Sequence, residues 1–129
     1  MDRTLHSFRR LRERGFAHHF YERLFAADRR VPRLFARTDI ARQRDLLEHG
    51  VSMLLAHRRG SALGEIAMRR LARLHGPGEL DIGHDLFVIW LRVFLEVAGE
   101  LDPEWTPELA AAWHSELGAS ISEMHRRAT

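Results

Sequence analysis

Apolar side chains along this chain return every three or four positions, the period of helices facing a core on one side, and nowhere alternate convincingly as a half-buried strand would. A short, strongly charged helix is predicted from Thr4 to Arg14, with Leu5, Phe8 and Leu11 on its inner side, and Gly15 marks a corner. From Phe16 to Ala27 a wide apolar face carries Ala17, Phe20, Tyr21, Leu24 and Phe25. Pro32 suits the first turn of a short helix running through Leu34 and Phe35. Asp39 can cap a helix from Ile40 to about Arg58, with Ile40, Gln43, Leu47, Val51 and Leu54 in one stripe and Leu55 beside it. Gly60 ends that helix. The next spans Leu63 to His75, with Met68, Leu71 and His75 on one face, widened by Ile66, Ala67 and Leu74. Gly76-Pro77-Gly78 closes it, since proline cannot continue a helix.

The segment from Ile82 or Gly83 to Gly99 is apolar over much of its circumference, so the most buried helix is expected there. Asp102-Pro103 and Thr106-Pro107 each read as a cap residue followed by a proline at a first helical position. The last helix carries Leu109, Trp113, Leu117, Ile121 and Met124 inward, with Arg126 and Arg127 at the negative end of its dipole.

Three residues depart from this pattern. Tyr21 lies within an apolar face, so its hydroxyl is carried inward, where a phenol needs a hydrogen-bond partner. Gln43 places an amide where the period asks for an apolar side chain; it is either a boundary residue facing solvent or a group aimed into a pocket. His75 ends an inward face, either as a core histidine bonded to a nearby carbonyl or as a ligand to something bound beneath it.

Composition narrows the function classes. A chain of 129 residues suits one domain over 1–129. It has no cysteine, which excludes disulfides and thiolate metal sites. No stretch is apolar enough to span a bilayer, and the N-terminus has no apolar core of signal-peptide length, so a cytoplasmic location is expected, with no membrane partner. All 20 basic residues are arginine, but 18 carboxylates are interleaved with them and the formal net charge is only +2. Nucleic-acid binding is therefore not expected. A Gly-rich phosphate loop, a His-Glu-x-x-His helix and a Cys-His pair are all missing. Of the nine histidines, His6, His18, His19, His57, His114 and His125 have charged or polar neighbours and are expected at the surface, as is His49.

Phe20-Tyr21-Glu22-Arg23-Leu24-Phe25-Ala26-Ala27, then Val31-Pro32-Arg33-Leu34-Phe35, then Gln43, then Leu71-Ala72-Arg73-Leu74-His75, taken in order, resemble a bacterial single-domain globin and the globin domain of flavohaemoglobins. The resemblance runs from about Gly15 to Met124. It implies an all-α globin fold packed around a pocket for haem b. It also implies a pentacoordinate iron held by His75, the only metal ligand expected. Cofactor-contacting residues implied by it are His75, Phe35, Leu47, Leu71, Ile82 and Val51, with Phe35 packed flat on the porphyrin. The distal, gas-facing residues would be Tyr21, Gln43 and Leu47. Oxygen gains partial negative charge when it ligates ferrous haem, and two neutral donors in a dry pocket would favour it over CO.

The departures are equally specific. Tyr21 is the only tyrosine, so the proximal tyrosine of flavohaemoglobin-type globins has no counterpart in Glu79-Leu80-Asp81-Ile82-Gly83. Ala128 falls where their last-helix glutamate would be, although Glu123 is near. Reversible binding of O2 or another diatomic gas is the reading these marks favour, in a monomer or homodimer with no catalytic residues assigned. Two alternatives stay open: an NO dioxygenase or peroxidase-like haem enzyme working with a separate reductase, and a haem-free sensory or scaffold module.

Overall fold

The computed structural model describes residues 2–74 and 83–128. Among them run seven helices: α1 (Arg3–Glu13), α2 (Phe16–Ala27), α3 (Arg30–Leu34), α4 (Ile40–Arg58), α5 (Ala62–Leu74), α6 (His84–Leu101) and α7 (Pro107–Ala128). Sequence-predicted boundaries for α2 and α4 agree with the structure, and each has a physical cause. Gly15 takes φ 71°, a left-handed conformation open to glycine, and so breaks α1 from α2 without a loop. The Asp39 carboxylate accepts a hydrogen bond from the Arg42 amide at 3.3 Å and starts α4.

Helix α2 packs on α6, α4 on α5, and both α5 and α6 rest on α7. Two apolar clusters result. The larger joins α1, α2, α4, α6 and α7 through Phe8, Leu11, Phe16, Phe20, Leu47, Val51, Phe94 and Trp113. The smaller joins α5, α6 and α7 through Met68, Ala72, Phe87, Ile121 and Met124. Leu54, Trp90 and Leu91 touch both. The closest approach is between α4 and α5, where a Cβ on Gly64 would lie 2.4 Å from the His57 amide nitrogen. Glycine is required there because the backbones themselves meet.

Several expectations need correction. Ile66 is not on the buried face of α5; it is 57% exposed, and the face centres on Met68 and Ala72, with Leu71 half-buried. Asp102 does not open a helix. It caps the C-terminus of α6, its side chain is fully buried, and it gathers α1 onto that helix end. Ser7 Oγ donates to Asp102 Oδ2 at 2.6 Å, Arg10 Nε to Oδ1 at 2.8 Å, Arg10 Nη2 to Oδ2 at 3.0 Å and the Glu104 amide to Oδ1 at 2.9 Å. Trp113 Nε1 in turn donates to Ser7 Oγ at 3.0 Å. Thr106 does cap α7 as expected, its hydroxyl accepting from the Leu109 amide at 3.0 Å.

Candidate functional site

Helix α2 turns Ala17, Phe20, Tyr21 and Leu24 inward together, and this sets the phenol of Tyr21 among aromatic rings. Its ring stands edge-on to Phe20 at 5.2 Å, to Phe25 at 6.2 Å and to Phe35 at 5.7 Å between centroids. Phe35, the cap residue of α3, stacks on Phe25 at 5.7 Å with 27° between planes. Tyr21 is 5% exposed.

Gln43 reaches this cage from the first turn of α4. Its Nε2 donates to Tyr21 Oη at 3.1 Å. Both irregular residues of the sequence pattern are thus brought together from separate helices. Burial pushes the Tyr21 phenol above its ordinary value of 10.0, with the Gln43 hydrogen bond pulling the other way. The phenol is neutral at any ordinary pH and retains its proton. Tyr21 Oη has no second hydrogen-bond partner among the described residues, so that proton is unspent.

Leu47 and Val51, one turn apart on α4, continue the apolar wall and are both buried. Leu71 belongs to the other cluster, packed with Met68, Ala72 and Phe87. His75 and Ile82 lie outside the described residues, as does the Gly76-Pro77-Gly78 turn. Of the eight residues singled out in the sequence, Tyr21, Leu47 and Val51 belong to the larger apolar cluster, Phe35 packs against it, Gln43 is bonded to Tyr21, and Leu71 packs against the smaller cluster.

Two histidines expected at the surface are not there. His57, with 12% of its side chain exposed, sets Nε2 3.1 Å from Glu65 and 3.3 Å from Glu123, tying α4 to α5 and α7. Arg127 clasps the same Glu65 with both guanidinium nitrogens, at 2.7 and 2.9 Å. With Arg69 and His57 also bonded to it, the Glu65 carboxyl is held down at about 2, Arg127 being the largest cause. His125 is half-buried, its ring edge-on to Phe87 at 5.0 Å and 5.4 Å from His84. The sequence signal for both was available: each lies one or two helical turns from a residue of the inward stripe. Their polar neighbours masked it. No group of three or more metal-ligating side chains occurs among the described residues.

Comparison with known proteins gives the class of this all-helical domain. The globin family model matches residues 18–124, and the chain belongs to the globin family. Its fold is similar to that of protein PA3967 of Pseudomonas aeruginosa PAO1, whose crystal structure is described as structurally highly homologous to a human hemoglobin. The two share 29% sequence identity, with a TM-score of 0.91 over 98% of this chain and 96% of that one. No curated protein matches the chain.

Proposed function

We propose that this globin holds haem b through His75 and binds a diatomic gas reversibly, O2 before others, as one domain spanning 1–129. The observation that carries the reading is the hydrogen bond from Gln43 to Tyr21, buried among Phe20, Phe25 and Phe35. Burying a hydroxyl among aromatic rings costs free energy unless its hydrogen bonds are made, and Gln43 is half-buried beside it. These two satisfy each other only in part, which suits a third, transient partner with a partly negative oxygen.

The side chains present fit a flat, mostly apolar group. Phe35, Leu47, Val51 and Leu71 offer apolar surface, and the one polar feature is a pair of neutral donors. Haem, when bound, supplies an iron able to take a diatomic ligand, with His75 as its protein ligand. Phe35, Leu47 and Val51 keep water from the distal space. Tyr21, keeping its proton, would offer its hydroxyl as a hydrogen-bond donor to the gas. Gln43 acts on Tyr21: because Oη accepts from Nε2, the hydroxyl hydrogen turns away from Gln43, and the donated bond is strengthened through the chain.

The absorbance spectrum of the purified protein tests the assignment. A Soret band is expected in the wild type and its stoichiometric loss in His75→Ala, which has no cysteine to fall back on. A colourless wild type, or a fully loaded His75→Ala protein with an unchanged spectrum, overturns it.

A further inference from the structure

Helix α5 is held to the fold by little apolar surface. Among its described side chains Met68 and Ala72 are buried, whereas Leu63, Ile66, Arg70 and Arg73 are exposed. Helix α7, by contrast, buries Leu109, Trp113, Leu117, Ile121 and Met124. An element with few buried apolar contacts opens locally at low cost. Something else must keep α5 in place.

The tie is ionic. Glu65, in the first turn of α5, accepts from Arg127 of α7 at 2.7 and 2.9 Å and from Arg69 at 3.2 Å, and it lies 3.1 Å from His57 Nε2 of α4. His57 and Arg127 also reach Glu123 of α7, at 3.3 and 3.4 Å, and Arg126 stands 4.0 Å from it. Isolated surface ion pairs contribute little, but a two-pronged arginine–carboxylate bond within a network is the exception. His57 also carries a cost, because its Nδ1 is buried with no hydrogen-bond partner among the described residues. An unpaired buried nitrogen destabilises a fold, so this ring is placed for what Nε2 does. The same residue is a stop as well as a tie: a Cβ on Gly64 would run into the His57 backbone. A stop and a tie at one residue fix both the spacing of α5 from α4 and its rotation.

We infer that His57, Glu65 and Arg127 form a latch that keeps α5 docked and, through it, keeps His75 on the haem iron. All three are positioning residues, acting through the helix that runs from Glu65 towards His75. Opening the latch frees α5 from α4 and α7 together and is the route by which haem is lost. The step from α5 to haem rests on His75 being the iron ligand; the docking of α5 does not. Because the latch is made of charges near the surface, salt screens it.

Hydrogen exchange of the protein as purified reads the docking of α5, and haem transfer to excess apomyoglobin reads the hold on haem. In E65Q at low salt, α5 amides should exchange and haem should leave about fivefold faster, as suits the loss of a two-pronged charged bond. At about 1 M sodium chloride the wild type and E65Q should converge. E116Q removes the Arg59–Glu116 pair, which joins α4 to α7 without touching α5, and should change either rate by less than about twofold. The iron–histidine vibrational band should shift or broaden in E65Q alone, a response that a general loss of stability does not produce. Unchanged α5 exchange in E65Q, equal changes in E116Q, or faster α5 exchange with haem transfer and the band unmoved would overturn the proposal. A colourless wild type would remove the haem reading and the step to it, while faster α5 exchange in E65Q would still establish the latch.

Discussion

Two polar centres, the buried Asp102 and the part-buried Tyr21–Gln43 pair, are built in opposite ways. Asp102 is charged and fully buried, and four donors from Ser7, Arg10 and the Glu104 amide converge on its two oxygens. The Tyr21–Gln43 pair is neutral, and a single hydrogen bond joins it. The first is closed: nothing more can be added without displacing a partner. The second keeps a proton to give. A buried polar group whose capacity is filled holds the fold together, whereas one with capacity left over is free to serve the ligand proposed above.

The comparison breaks most sharply at Asp102. Asp102→Ala should lower unfolding free energy by about 3 kcal/mol, the lower end for removing one partner of a buried ion pair, since Arg10 can regain water. Chemical denaturation measures it, and gas release from the folded fraction should be unaltered. A stability change under about 1 kcal/mol would show that Asp102 is not the hub its contacts describe.

Tyr21→Phe should do the reverse. It keeps the ring among Phe20, Phe25 and Phe35 and removes only the hydroxyl. A hydrogen bond to a partly charged oxygen is worth about 1.5–3 kcal/mol, so O2 release should speed up roughly ten- to a hundredfold. CO carries less charge and its release should move far less. Stopped-flow release of both gases decides the matter; equal shifts for the two would make Tyr21 a core phenol.

Gln43→Leu should follow in the same direction but more weakly, on the order of threefold, because it withdraws support from the phenol and not the donor itself. An effect as large as that of Tyr21→Phe would mean that Gln43 donates directly to the gas.

The smallest effects are in pH. Desolvation raises the Asp102 carboxyl, but the hydrogen bonds from Arg10, Ser7 and the Glu104 amide outweigh it and leave the group below its ordinary 3.8. A depressed carboxyl contributes stability that is complete above the unfolded value and lost as pH falls through the folded one. Acid below about pH 4 should therefore loosen α1 on α6, and this response should be missing in Asp102→Asn. The pocket has the opposite sign: the raised Tyr21 phenol stays protonated through and beyond its ordinary 10.0, and its contribution is lost only in strong alkali. Gas release should be flat from about pH 5 to 9, and a titration of the release rate within that range would assign control to a group other than Tyr21.

The pocket pair was legible in the sequence and the Asp102 hub was not. Tyr21 and Gln43 interrupt apolar stripes of period 3.6, so each announces itself as polar in a dry place. The partnership between them depends on how α2 and α4 cross, and no local spacing encodes that. Ser7 lies on the charged first helix and Asp102 precedes a proline, where an aspartate reads as a cap. Their burial is a tertiary outcome, made by α1 folding back onto the end of α6. Ile66 erred the other way: an apolar residue beside the inward stripe was assigned to the core, yet the α5 face is narrower than its composition.

The Gly64 crossing gives α5 the mechanics of a lever. A contact between backbones has no side-chain rotamers to yield, so the point where Gly64 lies against His57 and Ala56 is a hard fulcrum. One residue beyond it, Glu65 is clamped by Arg127 and His57. The long arm runs ten residues from Gly64 to Leu74, about 15 Å at helical rise, and leads directly into His75. A rotation of about 4° at the fulcrum would carry its tip by roughly 1 Å, enough to matter to any ligand bond made there. Any side chain at position 64 would therefore push α5 off α4 and shift the helix that leads to the proposed iron ligand.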